Sequence, residues 1–163
     1  RRRSIMKLYF LRHAEALDGK DDAGRTLSPH GKKEAREVGR FLKGAGIEFD
    51  AAYSSPLVRA KQTARIVLEV CGSAELEITD ALLNETAPGQ FEDWLKDLVD
   101  AKHALLVGHA PSLAERVCQL LGITNPETLK LPKGGLACLE TDDRRAATLK
   151  FFVTPKLLGV WAE

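Results

Sequence analysis

The chain has 163 residues, 44% of them hydrophobic and 29% charged, which suits one ordinary core at about the commonest size of a single domain. Its 24 basic and 23 acidic residues leave a net charge of +1, and without the arginines at positions 1–3 the remainder carries −2, so no broad basic footprint for nucleic acid is expected. No apolar run approaches the roughly 20 residues that span a bilayer, and no hydrophobic segment follows the basic start as a signal peptide requires; the chain is therefore read as soluble and cytoplasmic, with no nucleic-acid or membrane partner.

Residues 1–5 read as a basic stub ahead of Met6, either upstream of the natural start or added to it, and residues 6–163 as a single domain. Leu8–Leu11 is an apolar strand that runs straight into Arg12-His13. Residues 14–26 are polar, contain glycine and the acidic group Asp18, Asp21 and Asp22, and read as a loop. Ser28-Pro29 marks a helix start, because serine caps free amides and proline suits the first helical position. Ala35, Val38, Phe41 and Leu42 line one face of that helix before Gly44 and Gly46 stop it. Asp50–Ser54 is a short strand candidate, and Ser55-Pro56 is expected to open a second helix bearing Leu57, Ala60, Ala64, Val67 and Cys71 up to Gly72. Another short strand is expected over Leu76–Thr79. A helix after Pro88-Gly89 carries Phe91, Leu95, Leu98 and Val99. Ala104–Gly108 is a second apolar strand ending in a histidine, His109. Ser112 and Glu115 have the spacing of a capping box, opening a helix with Val117, Leu120 and Leu121 that closes at Gly122. Gly135–Glu140 and Ala147–Val153, separated by Asp142–Arg145, predict a hairpin at one side of the sheet. Alternating strands and helices imply an α/β layered fold. Cys71, Cys118 and Cys138 are odd in number, far apart and set among apolar residues, which indicates buried thiols rather than disulfides or a zinc site.

The chemistry centres on the two strand-end histidines. In an open parallel sheet, ligands bind beyond the carboxyl ends of the strands, so His13, His109 and Arg12 are expected in one cleft. Arg59 falls in the first turn of its helix, where the macrodipole disfavours a cation; the position makes sense if the arginine shares an anion with the helix amides. Phosphoryl transfer needs a nucleophile or activated water, positive groups on the phosphoryl oxygens and sometimes a proton donor, and the candidates are His13, Arg12, Arg59, His109 and an acid. His30 and His103 are expected to be solvated. His13-Ala14-Glu15 has the H-x-E form of zinc deaminases, but no Pro-Cys-x-x-Cys follows, and neither a Walker-A motif nor a G-x-S-x-G elbow occurs.

Leu11-Arg12-His13-Ala14-Glu15, Ser54-Ser55-Pro56-Leu57-x-Arg59-Ala60-x-Gln62-Thr63 and Val107-Gly108-His109-Ala110-Pro111, with Arg25-x-Leu27-Ser28-x-x-Gly31, together resemble the histidine phosphatase superfamily, which includes phosphoglycerate mutases. The short chain, and Ala14 where the family has glycine after the nucleophile, resemble its SixA-type phosphohistidine phosphatases most. The resemblance implies a three-layer α/β/α fold with a mostly parallel sheet. It also implies that His13 attacks phosphorus to form a phosphohistidine intermediate, that Arg12, Arg59 and His109 hold the phosphoryl oxygens, and that Glu85 occupies roughly the place of the family's proton donor. Neither metal nor cofactor is expected, since the protein's own cations and donors neutralise the phosphoryl group.

A weakly marked acid suits a phosphoramidate substrate, because a leaving imidazole with an unperturbed pKa of about 6.5 needs less help than an alkoxide. The expected substrate is a phosphohistidine on another protein, such as a phosphotransfer domain in signal transduction, met by a monomeric enzyme. A phosphatase of small phosphomonoesters is the alternative, and a module that binds phosphate or phosphohistidine without turnover is a third reading.

Overall fold

The computed structural model describes residues 4–72 and 74–161; the arginines at positions 1–3 of the expected stub lie outside them. Six strands form one mixed sheet: β1 (Met6–Arg12), β2 (Ala51–Ser54), β3 (Leu76–Ile78), β4 (His103–Gly108), β5 (Leu136–Thr141) and β6 (Thr148–Val153). Their order is β3-β2-β4-β1-β5-β6. The four strands from β3 to β1 run parallel, while β5 is antiparallel to β1 and forms the expected antiparallel hairpin with β6.

Four helices cover the two faces: α1 (Pro29–Gly44), α2 (Val58–Cys71), α3 (Pro88–Asp97) and α4 (Ser112–Leu121). The period-2 alternation of the central strands decides which helix meets which face. Leu8, Phe10, Ala104, Leu106, Ala137 and Leu139 point to the side packed by Phe91, Leu95, Leu113 and Val117 of α3 and α4. Tyr9, Leu11, Leu105, Val107, Leu136 and Cys138 point to the side packed by Val38 and Leu42 of α1 and Ala60, Ala64 and Val67 of α2. The result is the expected α/β/α layering, and no described helix is long and apolar enough to cross a membrane.

The N-terminus of α1 is clamped onto the segment after β1. Ser28 caps the helix by accepting from the Gly31 amide at 3.0 Å, as the Ser-Pro pair predicts. The Ser28 amide donates to the Glu15 carbonyl at 3.0 Å, and the Glu15 amide donates to Glu34 Oε1 at 2.9 Å. A β-carbon on Gly31 would lie 2.0 Å from the Glu15 carbonyl oxygen, so only glycine permits this approach. Gly31→Ala is expected to cost about 3 kcal/mol or more of stability, the upper end for overpacking because the obstacle is backbone. The check is the midpoint of chemical denaturation.

Three expectations about element ends are corrected. Helix α2 starts at Val58, with Leu57 at its cap and no side-chain cap; Ser55 Oγ accepts from the Leu57 amide, ahead of the helix, and lies against His109 Nε2. Helix α3 ends at Asp97, leaving Val99 outside the helix and exposed. Buried Arg144, at φ 63°, donates to the carbonyls of Leu95, Lys96 and Leu98 and to Asp100, terminating the helix from 46 or more residues away. Ser112 and Glu115 form no capping box: Ser112 is already helical, its hydroxyl donates to the His109 carbonyl, and Asn84 Oδ1 accepts from its amide at 3.2 Å. The three cysteines are free and buried, as expected.

Candidate active site

The register of the sheet brings the two histidines together. Arg12 at the end of β1 pairs with Gly108 at the end of the parallel strand β4, and the His13 amide donates to the Gly108 carbonyl at 3.0 Å. His13 and His109 therefore leave adjacent strands at the same level, with ring centroids 5.2 Å apart. A β-carbon on Gly108 would approach the Leu82 carbonyl oxygen to 3.0 Å and Leu113 to 3.2 Å, so glycine lets the chain pass between them.

His13 is 7% exposed, and its Nδ1 lies 2.7 Å from the Ala14 carbonyl oxygen. A carbonyl only accepts, so Nδ1 carries the proton and Nε2 keeps its lone pair. Burial pushes the His13 pKa down to about 4, against the pull of the Ala14 carbonyl and with further lowering by Arg59, Arg12 and Lys133. The imidazole is thus neutral at physiological pH and able to act as a nucleophile. Ala14 packs with Leu27 and Ala35, and its amide donates to Thr63 Oγ1 at 3.1 Å. The Thr63 hydroxyl in turn donates to the Arg59 carbonyl at 2.8 Å, which ties the His13-Ala14 segment to α2 one turn beyond Arg59.

Three nitrogens around His13 are buried and unpartnered: Arg12 Nε, Arg59 Nε and His109 Nδ1. Two of them are guanidinium N–H donors, and since buried polar groups are ordinarily satisfied, these nitrogens are suited to receive an incoming acceptor. Arg12 is anchored through Nη1 to the Leu131 carbonyl at 3.1 Å. Arg59 is 8% exposed and sits in the first turn of α2, as expected. Its Nη1 donates to the Asp22 carbonyl at 2.8 Å and its Nη2 to Asp22 Oδ2 at 3.3 Å. Asp22 belongs to a short 3-10 turn, Asp22–Gly24, in the loop after His13. Its carboxyl is held below the usual carboxylate range by Arg25 first and by Arg59.

His109 is 3% exposed, and burial first, then the charges of His13 and Arg59, push its pKa down to about 3. Both histidines thus have folded-state values below the unfolded value of about 6.5. In the window between, the unfolded chain binds protons that the folded chain refuses, so stability rises with pH there. The penalty is absent above pH 6.5 and grows as pH falls toward 4, reaching on the order of 5 kcal/mol for the pair. Urea denaturation at pH 7 and pH 4.5 checks this, and a His13→Asn, His109→Asn double variant is expected to flatten the difference.

Glu85 is exposed and lies between the 3-10 turn Asp80–Leu82 and α3. Its loop is anchored on both sides to the His109 end of the molecule. Asn84 Nδ2 donates to the Ala110 carbonyl at 2.7 Å, and Arg116 Nη2 donates to the Thr86 carbonyl at 2.6 Å. Beside Arg12 a groove of about 470 Å³ is walled by Ala110, Pro111, Leu129, Leu131 and Pro132.

His103 and His30 depart from the solvated placement expected of them. Both are half-buried: His103 Nδ1 is 2.7 Å from the Tyr9 hydroxyl, and His30 Nε2 is 3.9 Å from Glu34 Oε2. Neither belongs to the site. Conversely, Ser55, Thr63, Asp22 and Asn84 support it without having been singled out for that purpose. Only Thr63 had a local signal, four residues after Arg59 on one helix face.

Comparisons with known proteins bear on the family and the fold. A protein of Picosynechococcus sp. that is itself uncharacterised is 34% identical over 149 residues, 86% of this chain and 88% of that one. The 2,3-bisphosphoglycerate-dependent phosphoglycerate mutase of Parvibaculum lavamentivorans is 44% identical over 72 residues, but the match spans 44% of this chain and only 34% of the mutase. The structure of the protein histidine phosphatase SixA complexed with tungstate superposes with a TM-score of 0.86 at 25% identity, covering 94% of this chain and 99% of that one. The family model of the histidine phosphatase superfamily (branch 1) matches residues 8–103, and with more than half the chain covered the protein belongs to that superfamily.

Proposed function

We propose that the protein is a phosphatase that removes phosphate from a phosphohistidine carried by another protein, through a covalent intermediate on His13. The observation that carries the reading is the His13 imidazole, with Nδ1 tied to the Ala14 carbonyl, Nε2 free, and three unpartnered buried nitrogens around it. In the first step the Nε2 lone pair forms a bond to phosphorus while the bond from phosphorus to the substrate's nitrogen breaks. Arg12, Arg59 and His109 donate to the phosphoryl oxygens, stabilising charge where it develops. Glu85 delivers a proton to the leaving nitrogen when that nitrogen is not already protonated. Water then attacks the phosphorus on His13, the nitrogen–phosphorus bond breaks, and inorganic phosphate leaves.

Two observations favour a protein-borne phosphohistidine. The similarity to the protein histidine phosphatase SixA extends over nearly the whole of both chains. The groove beside Arg12 is walled mainly by aliphatic and proline side chains, a better surface for a protein segment than for a polyhydroxylated sugar or glycerate. The similarity to a phosphoglycerate mutase supports the second reading, a small phosphomonoester. The test is the initial rate of phosphate release from a phosphorylated phosphotransfer domain and from a panel of phosphomonoesters, with and without a strong chelator. Preference for the protein-borne phosphohistidine, unaffected by chelation, supports the proposal; preference for a monoester contradicts the substrate and leaves the His13 chemistry in place.

A further inference from the structure

The two histidines of the site hold their protons on the same ring position for opposite purposes, and the residue that arranges this for His109 is Ser55. Ser55 is 0% exposed. Among the described residues its Oγ has two partners: the Leu57 amide at 3.3 Å and His109 Nε2 at 2.6 Å. A serine hydroxyl offers one proton and two acceptor sites. The Leu57 amide is a donor and occupies one acceptor site. If His109 Nε2 were also a donor, the Ser55 proton would be buried with nothing to receive it, which native interiors avoid. With the Ser55 O–H donating to His109 Nε2, one group, the Nδ1–H that faces the site, is left without a partner, whereas the reverse direction leaves both the Ser55 proton and the Nδ1 lone pair unmet. Neutral His109 then carries its proton on Nδ1, the nitrogen that is buried and unpartnered.

We propose that Ser55 is a positioning residue that locks His109 in its Nδ1–H tautomer, so that Nδ1 presents a hydrogen-bond donor to the phosphoryl group attacked by His13 Nε2. The acceptor's identity rests on the phosphatase reading; the lock itself does not. The charged and titratable groups that face His109 are His13 and Arg12 at the end of β1, Arg59 on α2 and Asp22 from the loop after the nucleophile. With Arg12 and Arg59 there, a neutral donor adds a third hydrogen bond to phosphate without a third full charge, and it cannot compete with His13 as a nucleophile through Nδ1.

The test is long-range nitrogen–proton correlation NMR of the neutral imidazoles at pH 7.5, with His109→Gln assigning the resonance. In the wild-type protein, His109 Nδ1 is expected to be protonated and Nε2 unprotonated. In Ser55→Ala the population should move toward Nε2–H, and the rate of phosphoenzyme formation should fall about tenfold to a hundredfold, the usual loss when the partner that orients a reactive histidine is removed. KM should change much less, and Ser55→Thr, which retains the hydroxyl, should restore both the tautomer and the rate. An Nε2–H tautomer in the wild type overturns the lock without needing any variant, as does an unchanged tautomer in Ser55→Ala. A shifted tautomer with an unchanged rate overturns the donor role. A wild-type protein that shows the lock but releases phosphate from no donor contradicts the phosphatase reading and supports the lock.

Discussion

Replacing His13 with asparagine is expected to lower phosphate release by on the order of 10⁴-fold or more, the scale on which loss of a covalent nucleophile is felt when the rest of the site survives. The amide can still donate to the Ala14 carbonyl and fill much of the imidazole's space, so the cleft should persist. What disappears is the lone pair at Nε2, and nothing else around it can replace it. His109 offers no substitute, because its Nε2 is held by Ser55 at 2.6 Å. The variant should still bind phosphate or vanadate within a few-fold of wild type, since Arg12, Arg59 and His109 are untouched. It should also be less sensitive to acid, because one of the two imidazoles whose protonation opposes folding has been removed. Single-turnover release and oxyanion binding, measured on the same preparation, separate loss of chemistry from loss of fold.

The second large effect belongs to Arg59. Arg59→Met is expected to reduce the rate of phosphoenzyme formation about 10³-fold, the lower end of the effect of a transition-state arginine in phosphoryl transfer. Methionine keeps much of the buried aliphatic stem and removes the guanidinium, so the fold should remain. Asp22 sharpens the prediction. One N–H on each terminal nitrogen of Arg59 is taken by the Asp22 carbonyl and carboxylate, which leaves Nε–H and the second N–H of each terminal nitrogen for a phosphoryl group while Asp22 fixes the guanidinium's orientation. The Asp22 carboxylate also stands near incoming negative charge. Asp22→Asn should therefore shift KM downward by a few-fold while kcat changes little, opposite in sign to Arg59→Met. Steady-state kinetics with a chromogenic phosphoester distinguish the two.

Much of this was legible in the chain because it depends on local pattern. The alternation in Leu8–Leu11 and Ala104–Val107 places two strands, and the residues just beyond them become neighbours once the strands pair in parallel. Ser28-Pro29 marks α1 because its capping is local, from Ser28 to the Gly31 amide. Arg59 stood out because a cation in a first turn runs against the helix dipole.

The misreadings share a different cause: a distant group outbid the local signal. Ser55-Pro56 has the form of a helix start, yet the helix begins at Val58 and the Ser55 hydroxyl lies against a histidine 54 residues away. Ser112 and Glu115 have capping-box spacing, yet Asn84, 28 residues earlier, takes the Ser112 amide. The apolar period past Asp97 carries on to Val99, but Arg144 gathers the terminal carbonyls of α3. His103 resembles a solvated residue beside Lys102 until Tyr9, 94 residues before it, supplies a hydroxyl. Asp22 was one of three acidic residues in a loop, and nothing in its spacing distinguishes it as the one facing Arg59. Glu85 was not placed by pattern, because an exposed carboxylate in a loop has no periodicity to orient it.

The measurement that tests the central claim most directly is covalent labelling. The protein is mixed for milliseconds with a phosphotransfer domain carrying ³²P-phosphohistidine, quenched in alkali and digested. The account predicts an acid-labile, alkali-stable label on the peptide containing His13, formed before inorganic phosphate appears and absent from His13→Asn. Phosphate release at full rate with no label on that peptide, or an equal label in the variant, would contradict it.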